Sequence, residues 1–237
     1  MTCDFSNDKF MNYIKELRKK HKNKNYNFGY NELLKFITIN LKDDSKIKKI
    51  LSKKEFDTKD MRILNDKCSG IVNLELSGYA KIVNNKVHYI INKNHSYLDL
   101  RNKVPNCDAD ITKNITWHMH PWNISLDYKN DVPSFFSYED LRIAVNFPTK
   151  KFIIFNMNCE EPKIPCVYFV WACKNVKKHK AKKVISDLYN DIYERLLSGD
   201  YTVDFEKIKK ELAKVDVHFY YLYRYVEKSF VKILKEK

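Results

Sequence analysis

The apolar positions along the chain change period twice. Phe10, Tyr13, Ile14 and Leu17 recur at three- and four-residue intervals, and Leu33, Leu34, Phe36, Ile37, Ile39 and Leu41 form a denser stripe after Gly29. Both patterns predict helices. Further on the spacing becomes strand-like. Residues 71–83 and 87–92 read as two strands joined at Asn84-Asn85, where asparagine tolerates the positive φ of a tight hairpin. Residues 115–120, 151–157 and 166–173 read as three more strands, and residues 137–146 as a helix between the first two of these.

Helical spacing then returns. Val184, Ile185, Leu188, Ile192, Tyr193, Leu196 and Leu197 form a stripe that stops at Ser198-Gly199, a C-cap signal. Two more helices are expected over residues 205–215 and 219–234, the second with an aromatic face of Phe219, Tyr220, Tyr221, Tyr223 and Tyr225. Strands in the middle and helices at both ends predict an α/β fold: a mixed sheet flanked by helices, with helical N- and C-terminal extensions.

Charge follows the same division. Residues 1–60 hold 15 Lys+Arg against 9 Asp+Glu, residues 61–173 hold 13 against 11, and residues 174–237 hold 16 against 10, so that +6, +2 and +6 make up the net +14. The expected organisation is therefore a basic helical extension over 1–60, a near-neutral domain over 61–175 and a second basic helical extension over 176–237. The 237 residues, 44% hydrophobic and 14% aromatic, are enough for a packed core. No run of about 18 apolar residues is present, and residues 1–10 lack the charged start and apolar stretch of a secretory signal. The expected location is intracellular, in cytoplasm or nucleus. Six cysteines without a C-x-x-C pair read as reduced thiols, not as a disulfide framework or a cysteine zinc site.

The candidate chemistry sits in T-W-H-M-H-P, residues 116–121. With seven histidines in the chain an H-x-H arises by chance roughly 0.2 times, so the pair needs partners to carry meaning. On a strand His118 and His120 face the same side about 6.5 to 7 Å apart, placed to grip one cation, while Met119 faces the other side and Pro121 ends the strand. Downstream, Ser137 and Asp140 form S-x-x-D at the opening of the predicted helix. That spacing is also a capping box. The two readings are compatible, because a carboxylate in a first helical turn is favoured by the dipole and can project toward a neighbouring strand end.

With E-L-S-G at residues 75–78 upstream, the order Glu75, His118, His120, Pro121, Ser137, Asp140 resembles the JAMM motif of the JAB1/MPN metalloprotease family, whose members include zinc-dependent deubiquitinases. The resemblance covers roughly residues 61–175. It departs from the family in two places. Twenty positions separate His120 from Asp140 where the family has about eleven, so a loop of roughly nine extra residues is expected around 123–132. The family's second glycine would fall on Ile82. Asp131 stands at the family's spacing from His120 and Asp127 lies nearby, but neither is in an S-x-x-D frame, which favours Asp140.

The resemblance implies an MPN-like (cytidine-deaminase-like) mixed sheet. It also implies a zinc ion held by His118, His120 and Asp140, with Glu75 as general base, Ser137 as oxyanion stabiliser, and ubiquitin or a ubiquitin-like protein as substrate. Two other readings compete with an isopeptidase: a non-catalytic MPN scaffold subunit, against which the intact motif counts, and a nucleic-acid-associated basic protein, for which only charge argues. Trp117, Trp122, Phe135 and Phe136 read as core packing around the motif, and His21, His88, His95, His179 and His218 as non-ligands.

Overall fold

The computed structural model describes residues 45–68, 76–92, 112–120, 137–156, 165–198 and 202–236, and places residues 12, 15, 16, 19 and 20 in helix. The rest of the helices expected near 10–17 and 33–41 lies outside the described residues.

Along the chain the elements are α1 (Ser45–Ser52), α2 (Thr58–Cys68), β1 (Ser77–Val83), β2 (Lys86–Ile91), β3 (Ile115–His120), α3 (Tyr138–Asn146), β4 (Lys151–Asn156), β5 (Val167–Ala172), α4 (Lys178–Leu197), α5 (Phe205–Ala213), β6 (Val217–Leu222) and α6 (Glu227–Lys235). The six strands form one mixed sheet in the order β2-β1-β3-β4-β5-β6. Only β3 and β4 are parallel neighbours, and α3 lies between them in the chain. Every other neighbouring pair is antiparallel. Helices cover both faces. Ile50, Leu51, Met61, Leu64 and Phe230 of α1, α2 and α6 pack with Trp117, Met119, Ile153 and Phe155 on one side. Leu141, Ala144, Ile185 and Leu212 of α3, α4 and α5 pack with Phe152, Ile154, Tyr168 and Val170 on the other. Because β5 is buried at every position, its V-Y-F-V-W-A is a continuous apolar run with no alternation.

The hairpin forms as the sequence predicts, with Asn84 at φ 49° and Asn85 at φ 57° in the two-residue turn. Residues 71–75 of the expected first strand lie outside the described set. Gly78 is required by close approach: a Cβ there would sit 1.9 Å from the Ile90 carbonyl oxygen and 2.9 Å from the Trp117 ring.

The expected helix over 219–234 is corrected. Residues 217–222 form edge strand β6, pairing with β5 from Val217↔Ala172 to Leu222↔Val167, and only residues 227–235 are helical. Aromatic side chains favour a pleated surface, and here they alternate: Val217, Phe219 and Tyr221 pack with the α3 and α4 layer, Tyr220 and Leu222 with the opposite one. The C-terminal stretch 176–237, expected as a helical extension, thus supplies a strand to the sheet and helices to both layers. Helices α1 and α2 were not anticipated, and α2 runs across the expected boundary at 60/61. No helix among the described residues is long and apolar enough to cross a membrane.

Candidate metal centre

Strand β3 divides its residues between the two faces. Trp117 and Met119 are buried in the α1, α2 and α6 layer, and the Trp117 Nε1–H donates to the Tyr79 carbonyl at 3.1 Å. Trp117 is a core residue, as the sequence predicts; Trp122, Phe135 and Phe136 lie outside the described residues. His118 takes the opposite face by alternation and stands beside Ile154 of β4. That is the face covered by α3.

Helix α3 brings the second group to this point. Leu141, Ala144 and Val145 anchor it in the apolar layer, and Tyr138 in its first turn packs edge-on against Tyr189 of α4 at 5.5 Å. The capping box is real: Asp140 N–H donates to Ser137 Oγ at 3.2 Å, while the Ser137 amide and hydroxyl both donate to Asp140 Oδ2 at 2.8 Å. Two donors occupy Oδ2. The other oxygen, Oδ1, lies 3.3 Å from His118 Nε2, with side chains only 13% and 12% exposed.

The same 3.3 Å separates His88 from Glu55 at the surface, so the distance alone is that of an ordinary histidine–carboxylate contact, longer than the about 2.7–2.9 Å of a well-formed charge-assisted bond. It is also compatible with two donors at about 2.0–2.1 Å from one tetrahedral zinc, which stand about 3.3–3.4 Å apart. Among the described side chains no group of three His, Cys, Asp or Glu converges; the side chain of His120 is not one of them, and Glu75, Pro121, Asp127 and Asp131 lie outside the described residues. The backbone of His120 is described: it closes β3 opposite Asn156 of β4.

Compared with known proteins, the chain matches no family model, no curated protein and no solved structure.

Three polar residues that sequence reasoning passed over surround the H-x-H. Of the five buried polar or charged residues described, Thr58 and Asp60 belong to α2, whereas Ser77, Thr116 and Asn156 flank the pair on β1, β3 and β4. Ser77 is the cross-strand partner of His118. Met119 N–H donates to the Leu76 carbonyl, so the neighbouring Ser77/His118 pair is of the non-hydrogen-bonded type, in which side chains stand closest. Asn156 donates its Nδ2 to the Pro165 carbonyl at 3.3 Å. Buried polar groups in an otherwise apolar sheet need partners; Ser77 stands opposite His118 and Asn156 opposite His120, while Thr116 lies two positions before His118 toward the start of β3. The sequence held a faint signal for this, a polar residue inside each strand-like run.

Two other described histidines, His88 and His218, are held differently, and His179 is exposed on α4. His88 faces Glu55 at 3.3 Å, a carboxylate that the sequence reading did not connect with it, but Glu55 is also taken by Lys81 and is solvent-exposed. His218 Nε2 lies 3.1 Å from Cys173 Sγ and its ring stacks on Trp171.

Proposed function

We propose that the protein is a zinc-dependent isopeptidase or peptidase of the JAMM type, with an MPN-like domain, acting on ubiquitin or a ubiquitin-like protein. One observation carries the proposal: Asp140, 22 positions after His118, presents its Oδ1 to His118 Nε2 at a distance compatible with a shared zinc while Ser137 holds its Oδ2. A helix cap alone does not require a histidine there.

In this reading His118, His120 and Asp140 hold the metal and leave a position open, the arrangement of a catalytic site and not of a closed structural one. Zinc, when bound, supplies a Lewis acid and lowers the pKa of a coordinated water toward about 7. Glu75 is the proton acceptor and later the donor to the leaving amine. It immediately precedes Leu76, whose carbonyl accepts the Met119 amide between the two histidines. Ser137 has a second task besides capping. Its backbone N–H keeps Asp140 Oδ2 in place, which frees the hydroxyl to turn toward the developing oxyanion. The apolar packing of Leu141 and Ala144 fixes α3 against the sheet, so the carboxylate is placed before substrate arrives.

The test is hydrolysis of ubiquitin conjugates by the full chain and by Glu75→Gln. Zinc content and fold are expected to persist in the variant while turnover falls by 100-fold or more, on the order of a lost general base. Equal turnover by the two proteins would remove Glu75 from the mechanism.

A further inference from the structure

The strands and helices also gather charge at the end of the sheet opposite His118. Strand β3 enters there, with Lys151 N–H bonded to the Asn114 carbonyl, and Lys150 Nζ reaches Asn114 Oδ1. Strand β5 leaves there, with Thr149 N–H on the Ala172 carbonyl. Helix α4 begins there, with Lys178 Nζ on the Asn146 carbonyl at the end of α3. Four chain segments thus bring Lys113, Lys150, Lys174, Lys177, Lys178 and Lys180 to one pole, and all but half-buried Lys150 are exposed.

The ion pairs of other lysines lie elsewhere, Lys53 with Asp60, Lys81 with Glu55, Lys207 with Asp191 and Lys214 with Glu211. None of the six is in an ion pair among the described residues. Helix α4 has no acidic residue in its first turn, where its dipole favours one, and carries lysines instead. Among the described residues the acidic groups near this pole are Asp216 and Glu236, and Glu236 is already bonded to Tyr220. Six lysines against these two carboxylates leave a positive excess that an external anion would offset.

The chemistry of the patch selects among anions. An amphipathic membrane contact needs apolar side chains beside the lysines, and the exposed large hydrophobics, Val83, Leu197, Tyr223 and Val226, are not among α4's first turns or the β3 and β5 ends. A protein interface needs aromatic or arginine anchors at its centre and is depleted in lysine. A single strand of nucleic acid needs aromatic platforms for its bases. Lysine alone, as a point charge, suits phosphates tracked for their charge.

We infer that this lysine pole binds the phosphate backbone of a nucleic-acid duplex without reading its sequence. The surface is separate from the candidate metal centre, at the other end of β3, and does not depend on the hydrolase reading.

The experiment measures binding of the full chain to a mixed-sequence duplex DNA over a range of salt concentrations. Three proteins are compared: wild type, Lys174→Gln/Lys177→Gln/Lys180→Gln, and the charge-matched control Lys54→Gln/Lys59→Gln/Lys228→Gln, made at exposed lysines between α1 and α2, in α2 and in α6. Lys178 is left in place because it caps α3. The pole variant is expected to bind more weakly, with a log–log salt slope smaller by up to about 2.7, roughly 0.9 for each lost phosphate contact; the control keeps the wild-type slope. An unchanged slope in the pole variant, an equal loss in the control, or wild-type binding to anionic vesicles but not to duplex would each overturn the inference. Circular dichroism of the variants separates a lost contact from a lost fold.

Discussion

Asp140 divides its carboxylate between two partners, Oδ2 to the amide and hydroxyl of Ser137 at 2.8 Å and Oδ1 to His118 Nε2 at 3.3 Å. A helix cap and a candidate metal ligand are the same side chain, and the cap is what orients the ligand. Ser137→Ala is therefore expected to act twice. Loss of the cap costs about 1 kcal/mol of stability, measurable by urea unfolding, and loss of the groups that orient Asp140 lowers zinc affinity by about 10- to 100-fold. Ser137→Thr keeps the hydroxyl and should restore most of both. A stability loss with zinc affinity unchanged would make Ser137 a cap and nothing more.

Gly78 gives a purely steric prediction. A methyl group there meets the backbone oxygen of Ile90 and the ring of Trp117, and neither is a flexible chain end. Gly78→Ala should destabilise the protein by on the order of 3 kcal/mol, the upper part of the range for overpacking, and shift the urea midpoint accordingly.

The elements that carry His118 and Asp140 were legible in the sequence. Strand β3 and helix α3 appear at their expected positions because each carries its own local signal, an alternating run for one and a Ser137/Asp140 cap for the other. The meeting of Asp140 with His118 was legible only through the motif, since nothing local to either residue specifies a partner 22 positions away. The C-terminal aromatic run misled because Phe219, Tyr220, Tyr221 and Tyr223 satisfy a helical stripe as well as a strand. What decided it was β5, a buried strand that needs a neighbour, and that is information from another part of the chain. Helices α1 and α2 escaped notice because Ile50, Leu51, Met61 and Leu64 are sparse among lysines and aspartates. Ser77, Thr116 and Asn156 could not be recognised as buried before the sheet was assembled.

The same assembly predicts the outcome of truncation. Removing residues 201–237 strips β6 from β5 and α6 from Phe155 and Phe169. The shortened chain, though it retains Glu75, His118, His120, Ser137 and Asp140, should aggregate through its uncovered strand edge and apolar face. A monodisperse, folded 1–200 fragment in size-exclusion chromatography would show that the C-terminal elements are dispensable.

At alkaline pH the C-terminus should loosen. Tyr220 donates its hydroxyl to Glu236, and this bond, reinforced by burial, raises its pKa from 10.0 to about 12. A group whose pKa is raised on folding contributes stability that is whole below its unfolded value and is lost as pH rises through the folded one. The contribution of Tyr220 is thus intact below about pH 10 and gone above about pH 12. Tyr220→Phe should flatten this part of the stability profile; a profile identical to wild type would mean that the bond contributes nothing.

The central claim, a zinc ion held between His118 and Asp140, is tested most directly by the metal content of full chain purified without chelator. Wild type is expected to carry about one zinc per chain, and His118→Ala and Asp140→Ala, each lacking one of three protein ligands, are expected to carry almost none while remaining folded. Folded wild type that is metal-free and takes up no zinc in titration, or an Asp140→Ala variant that binds zinc as tightly as wild type, would contradict the account.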